Sequence, residues 1–416
     1  MFMRNLEMSE FAPSAPGSSL VRSQAMRCPD RYELNVATGY YDRPDILDAW
    51  HRMLAVATSP ETLYQSPQFF SHLIDMHQGQ DANCELFIVR RSVDYAIVGF
   101  VPVRTIACGL AFRVGPVPLF KRTMRACQLL GSVPLLDPAE DGLAEFVVQQ
   151  LLEHYVMCDV LYMQAVPEEA GAALGGIAGV SAYVLNGWRA CHTQPLPDSV
   201  DGYLQKFSSK KRYNLSRQVR LLAEAAGALQ VLRIEQPEQV PAMLDAMIAM
   251  EACPNMERGA EQARLEGLAR HGLLLSYLIR CGDEDVAVVY GSRSASVWHV
   301  YKISCLHKYL HLSVGTSAIH LAVQDVLAHF AFKDIDFGYG TPSSEFRSTH
   351  VLKTRGVVLL HRARSLTALS LKLHGTYDRM NEALIRQVKR AQKWYAQRKQ
   401  ASKTASPKAN TTTTIS

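Results

Sequence analysis

Residues 84–104 read CELFIVRRSVDYAIVGFVPVR: an apolar stretch, a charged turn and a second apolar stretch, the pattern of two strands joined by a hairpin. Residues 273–293, LLLSYLIRCGDEDVAVVYGSR, repeat it. Further on, the earlier stretch is followed by the helical period LAEFVVQQLLEHYVM and the strand CDVLYMQ; the later one is followed by SAIHLAVQDVLAHFAF and KDIDFGYG. The match is one of order and type rather than identity, so the chain is predicted to repeat one α/β layout. A cut near Pro195 and Pro197 divides it into units over 30–195 and 196–365. Around them lie a predicted flexible lead (1–29), a basic C-terminal helix (366–402) and a disordered tail (403–416).

The later unit contains the most informative turn. Ile319, Ala322, Val323, Val326, Leu327 and Phe330 fall on one face of a helix, preceded by the strand-like SVWHVYKI and followed by KDIDFG. In a strand–loop–helix–strand unit the first helical turn presents amides without intrahelical partners, and the helix dipole adds positive potential. Ser313, Val314, Gly315, Thr316 and Ser317 form that turn and carry no negative charge, so an anion is expected there. The earlier copy is a control: its helix follows LLDPAEDG, whose Asp137, Glu140 and Asp141 would repel a phosphate. Ligand binding is therefore expected in the later unit.

Composition alters this picture little. The chain has 416 residues, 48% hydrophobic and 20% charged, enough for two ordinary domains. A net charge of +5 does not by itself argue for nucleic acid. Nine scattered cysteines without a Cys-x-x-Cys pair read as reduced thiols, and no long apolar run is present, so a cytoplasmic protein without a membrane span is expected. No Cys/His cluster has zinc spacing, so no metal is predicted.

Several pieces carry a resemblance. LYQSPQFF (63–70), LLGSVPLLD (129–137), YLQKFSSKKRYNLSRQVRLLAEAAG (203–227) and YLHLSVGTSAIHLAVQDVLAHFAFKDIDFGYG (309–340), in this order, resemble the CelD-like GNAT-fold acyltransferases of cellulose and exopolysaccharide biosynthesis, relatives of the FemAB-type transferases. The resemblance implies an α/β (α+β) fold of tandem GNAT-like domains, each a mixed, mostly antiparallel sheet flanked by helices. It implies acetyl-CoA or a longer acyl-CoA as co-substrate, and an amine or hydroxyl of a saccharide or envelope precursor as acceptor. The anion at Gly315 becomes the CoA pyrophosphate. The family's loop Gln or Arg is replaced by Leu310 or Leu312, and its later Tyr-Lys pair by Phe346 and Arg347. These departures keep two alternatives in view: an aminoacyl-tRNA donor, as in FemAB-type enzymes, and a non-catalytic GNAT-fold binding protein.

Acyl transfer needs a base for the acceptor and an acid for the leaving group. Asp336, on the strand after the helix, matches the Asp of the family's Asp-Phe motif and is the first candidate base; Glu345 in the next loop is a second. Tyr301 is the candidate acid, and His299, on the same strand face, is an alternative base. On the helix beginning near Ser208 or Ser209, Leu215, Val219, Leu222 and Ala226 form an apolar stripe. Opposite it, Lys210, Tyr213 and Arg217 are expected, with Arg347, to bind the phosphates of a donor or acceptor. The C-terminal helix is read as packed and basic, with contact to an acidic or membrane surface left open.

Overall fold

The computed structural model describes residues 26–27, 31–57, 60–76, 84–114, 117–251, 257–339 and 350–404. The first unit comprises β1 (Met26–Arg27), β2 (Tyr32–Val36), α1 (Pro44–Val56), α2 (Pro67–Met76), β3 (Cys84–Arg91), β4 (Ile97–Val114), β5 (Val117–Leu129), β6 (Leu135–Leu136), α3 (Leu143–His154), β7 (Val160–Pro167), α4 (Glu168–Gly175) and β8 (Val180–Pro195). The second comprises α5 (Val200–Gln205), α6 (Ser209–Ala226), β9 (Leu229–Ile234), α7 (Val240–Ala249), α8 (Arg258–Arg270), β10 (Ser276–Cys281), β11 (Glu284–Arg293), β12 (Val297–Cys305), α9 (Val314–His329), β13 (Asp334–Asp336) and β14 (Val351–Arg362). A long helix, α10 (Leu366–Thr404), follows. Within the predicted flexible lead, Met26 and Arg27 differ from expectation by pairing with Leu34 and Glu33.

The layout repeats as the hydrophobic pattern predicts. Each unit runs strand, two helices, three-strand meander, crossover helix, parallel strand and final strand. The final strands are exchanged: the sheet order is β1-β2-β3-β4-β5-β7-β14-β8-β13-β12-β11-β10-β9. Thus β14 pairs with β7 of the first unit, β8 pairs with β13 of the second, and β8 and β14 run antiparallel along eleven registered residue pairs at the centre. Only β5/β7 and β12/β13 are parallel, each bridged by a crossover helix, so the sheet is mixed and mostly antiparallel.

Helices cover both faces. In the second unit, α6 and α9 pack on one face through Leu215, Leu222, Ala318, Ala322 and Val326 against Tyr277, Ile279, Trp298 and Val300. On the other face α7 and α8 cover Leu278, Val288 and Tyr290. The alternation along β10 and β12 is what a strand buried on both sides requires.

Candidate active site

β12 and β13 pair only over Val297–His299 and Asp334–Asp336. Beyond that point β12 continues to Cys305 paired with β11 but no longer with β13, so the two strands open a cleft. Register between β11 and β12 shifts so that Tyr290 faces Lys302 and Gly291 faces Val300, leaving Tyr301 as the extra residue of a β-bulge. The bulge turns Tyr301 towards the cleft, where the residue is 39% exposed while its hydroxyl meets those of Tyr64 and Ser292. His299 lies behind it, 4% exposed, its ring stacked 6.5 Å from that of Tyr301.

The first unit completes this cleft. A 3-10 turn over Pro60–Gln65 is fixed from both sides: Trp50 Nε1 donates to the Gln65 carbonyl at 2.8 Å, while Leu63 is buried in the core formed with α7 and α8. The turn delivers Tyr64, whose hydroxyl lies 3.0 Å from that of Tyr301, and Glu61, whose carboxylate is 3.2 Å from Arg355 Nη1. Arg355 comes from β14, the exchanged strand, and also donates to Asp336 Oδ2 at 2.7 Å. Both Asp336 and Arg355 are 3% exposed. The other Asp336 oxygen accepts the Gly338 amide at 2.8 Å, so both of its oxygens are engaged.

One buried and one largely buried carboxylate, Asp336 and Glu61, therefore share one guanidinium. Asp336 has the shorter contact and an amide donor besides. Glu61 has the weaker share; burial first, then the negative charge of Asp336, raises its pKa to about 8 against the pull of Arg355. Burial likewise raises the Tyr301 and Tyr64 phenols, reinforced by Tyr290 at Tyr301 and by Tyr301 at Tyr64, while the hydrogen bonds of Tyr301 with Ser292 and Tyr64 pull it the other way. Tyr301 further contacts the Ser292 hydroxyl, so Ser292, Tyr301 and Tyr64 form a hydroxyl chain ending near Glu61. Cys191, beneath the cluster, is pushed up to about 12 by burial and stays a neutral thiol.

The start of α9 faces the same open end. Ser313 is its N-cap, in the left-handed region at φ 58°, and Val314 and Ser317 are buried. At Gly315 a Cβ would meet Cys305 Sγ at 3.3 Å and Ile303 Cγ2 at 3.7 Å, so its small size also seats α9 on β12. Thr316 is half-buried in the same turn. Before the corresponding helix of the first unit, Glu140 is engaged by Arg91 and Tyr32.

Other sequence candidates are placed elsewhere. Ser208 caps α6, and strand directions put the end of α6, where Gly227 abuts Gly282, beside the start of α9. The two helices are thus antiparallel, with exposed Lys210 and Tyr213 at the far end from the cleft and Arg217 between. This follows from α6 leading into the edge strand β9, which runs opposite to β10. Glu345 and Arg347 lie outside the described residues. Sequence reasoning did not single out Glu61, Tyr64, Ser292 or Arg355; the LYQSPQFF stretch carried Tyr64 without a role.

Residues 209–346 match the profile of a family described as an acetyltransferase (GNAT) domain. A comparison with curated proteins gives no match. Among solved structures, FemX is similar at 9% identity over 75% of this chain and 95% of that one, with a TM-score of 0.54. A conserved protein of unknown function from Bacteroides thetaiotaomicron VPI-5482 is similar at 11% identity, over 76% and 97%, with a TM-score of 0.46. A tandem GNAT protein from the clavulanic acid biosynthesis pathway is similar at 10% identity, over 80% and 99%, with a TM-score of 0.45. The likeness to FemX is one of fold. A GNAT acetyltransferase domain on this mixed sheet supports an acyltransferase.

Proposed function

We propose that the chain is an acyl-CoA-dependent N- or O-acyltransferase whose acceptor is an amine or hydroxyl on a saccharide or envelope precursor. The observation that carries this reading is the cleft where β12 leaves β13, lined by Tyr301 and closed by Glu61 and Tyr64 from the first unit. A thioester laid along the open edge of β12 places its phosphates towards the first turn of α9. Its acyl carbon then lies near the bulge.

In the reaction, the acceptor nitrogen or oxygen attacks the thioester carbonyl, the new C–N or C–O bond forms and the C–S bond breaks. Glu61, with a pKa near 8, takes the acceptor's proton. Tyr301 gives a proton to the departing thiolate and is resupplied through Tyr64 or Ser292. Asp336 and Arg355 are positioning residues: they hold Glu61 and fix the end of β13.

Calorimetric titration with acetyl-CoA and longer acyl-CoAs tests the donor. The perturbing variant is Thr316→Glu, because a glutamate at Gly315 would be driven into Cys305 and disturb packing. Saturable binding, weakened at least about tenfold by the carboxylate at the helix start, is expected. A second reading, an aminoacyl-tRNA donor, draws on the FemX-like fold and on Leu310 and Leu312 in the loop. Absence of CoA binding together with steeply salt-dependent binding of aminoacyl-tRNA would establish that reading instead.

A further inference from the structure

α10 is docked only at its start and carries a row of exposed apolar residues beyond it. Its first turns dock through Ala368, Leu371 and His374, and its last hydrogen bonds to the sheet run from Tyr377 and Asn381 to the Arg113 carbonyl of β4. Leu373, Met380, Leu384 and Val388 recur at seven- and four-residue steps on a side turned away from the sheet, with the docked Tyr377 at its border. Met380 is 68% and Leu384 55% exposed, and Trp394 is exposed further along. From Leu373 to Trp394 this stripe is about 30 Å long at 1.5 Å per residue.

The other side of the helix is strongly cationic. Between 383 and 404 the sequence has seven lysines and arginines and no acidic residue. Arg386, Lys389, Arg390 and Lys393 continue the face that docks on the sheet earlier in the helix. The β4–β5 hairpin adds a second, independent feature: Val117, Leu119 and Phe120 are exposed beside Arg113 and Lys121. Ring contacts from Phe120 to Phe112 and from Phe112 to Tyr377 join the hairpin to the stripe.

We infer that α10 and the β4–β5 hairpin form a docking surface for an anionic lipid membrane, the apolar stripe entering the headgroup boundary and the cationic polar face of the helix drawn to the lipid phosphates. An apolar face backed by a lysine- and arginine-rich polar face, with an exposed tryptophan, is the pattern of a helix lying in the membrane plane. Charge selects this occupant. α10 carries nine lysines and arginines against two acids, Asp378 and Glu382, so a second copy would bring together two helices with a large excess of positive charge, and nucleic acid would leave the leucine and methionine stripe in water. No described helix is long and apolar enough to cross a membrane, so the contact is peripheral.

The test is co-sedimentation of the full chain with vesicles of phosphatidylcholine, with and without phosphatidylglycerol. Binding to the anionic vesicles alone is expected. The triple variant Lys389→Gln/Arg390→Gln/Lys393→Gln should weaken it about fivefold per charge, on the order of a hundredfold in all. Leu384→Asp and Leu119→Asp should each weaken it at least about tenfold, and their exposure leaves folding, checked by circular dichroism, unchanged. Binding that ignores the lipid charge or these variants overturns the inference. So does absent vesicle binding, whether or not light scattering shows a dimer dissolved by Leu384→Asp or tRNA retention lost in the triple variant.

Discussion

The shared guanidinium makes a measurable demand on stability. In the unfolded chain Glu61 titrates near the ordinary glutamate value of about 4.3; in the folded protein it holds its proton to about pH 8. Between these values the folded state binds one proton more than the unfolded state. Stability therefore falls as pH rises, by about 1.4 kcal/mol per unit, and levels off above pH 8. From pH 5 to 8 this group alone removes about 4 kcal/mol. Glu61→Gln imitates the protonated side chain and deletes the dependence. Urea denaturation of wild type and variant, followed by tryptophan fluorescence from pH 5 to 9, isolates the effect, since every other titrating group cancels in the difference. The variant should gain on the wild type steadily with pH, reaching about 4 kcal/mol near pH 8. A difference that stays flat would mean that Glu61 is ionised when folded, and would refute the account of two carboxylates sharing one cation.

The same carboxyl predicts the rate: kcat/KM of the wild type should rise about tenfold per pH unit below 8 and level off above it, and Glu61→Gln should abolish that limb. Tyr301→Phe should lower kcat by on the order of a hundredfold with little change in thermal midpoint, because the ring stays and only the hydroxyl is lost. Arg355→Met strands Asp336 in the interior and should cost about 3–5 kcal/mol, much of it restored by adding Asp336→Asn in a double-mutant cycle. Gly291→Ala would set a Cβ 2.3 Å from the His299 carbonyl, opposite the bulge. It should destabilise the protein by about 1–3 kcal/mol and reduce activity by shifting Tyr301.

The repeated layout was legible because each strand and helix announces itself locally: β3/β4 and β10/β11 by an apolar pair around a charged turn, α9 by its three-four spacing. Tyr301 and His299 could be placed on one strand face by alternation alone, and the bulge then sharpened their aim. Exchange of β8 and β14 had no local signal, because each strand would look the same paired within its own unit. That is why Arg355 escaped notice: its role exists only once β14 has crossed to the centre of the sheet. Glu61 was hidden for a similar reason, being 275 positions before Asp336 in a turn whose anchors, Trp50 and Leu63, belong to two different cores. Lys210 and Tyr213 are the converse case: they lie on the exposed face of α6, and the antiparallel run of α6 and α9 sets them at the end of the sheet away from the Tyr301 cleft, which their spacing alone could not reveal.

The exchange also bears on what the second unit can do alone. The domain matched over 209–346 ends before Arg355 and begins after Glu61, Tyr64 and β8. Without β8, the outer edge of β13 loses the pairing of Asp334, Ile335 and Asp336 with Pro195, Gln194 and Thr193. Without Glu61, the cleft has a phenol but no carboxyl near neutral pKa. A chain restricted to 196–416 would retain β14 yet lack both partners of that strand, β7 and β8. It should be recovered unfolded or aggregated through the exposed edges of β13 and β14. Co-expression with 1–195 should restore a soluble complex, and the Tyr64–Tyr301 contact with it. A soluble, active 196–416 fragment would show that the first unit is dispensable, and would remove Glu61 from the chemistry.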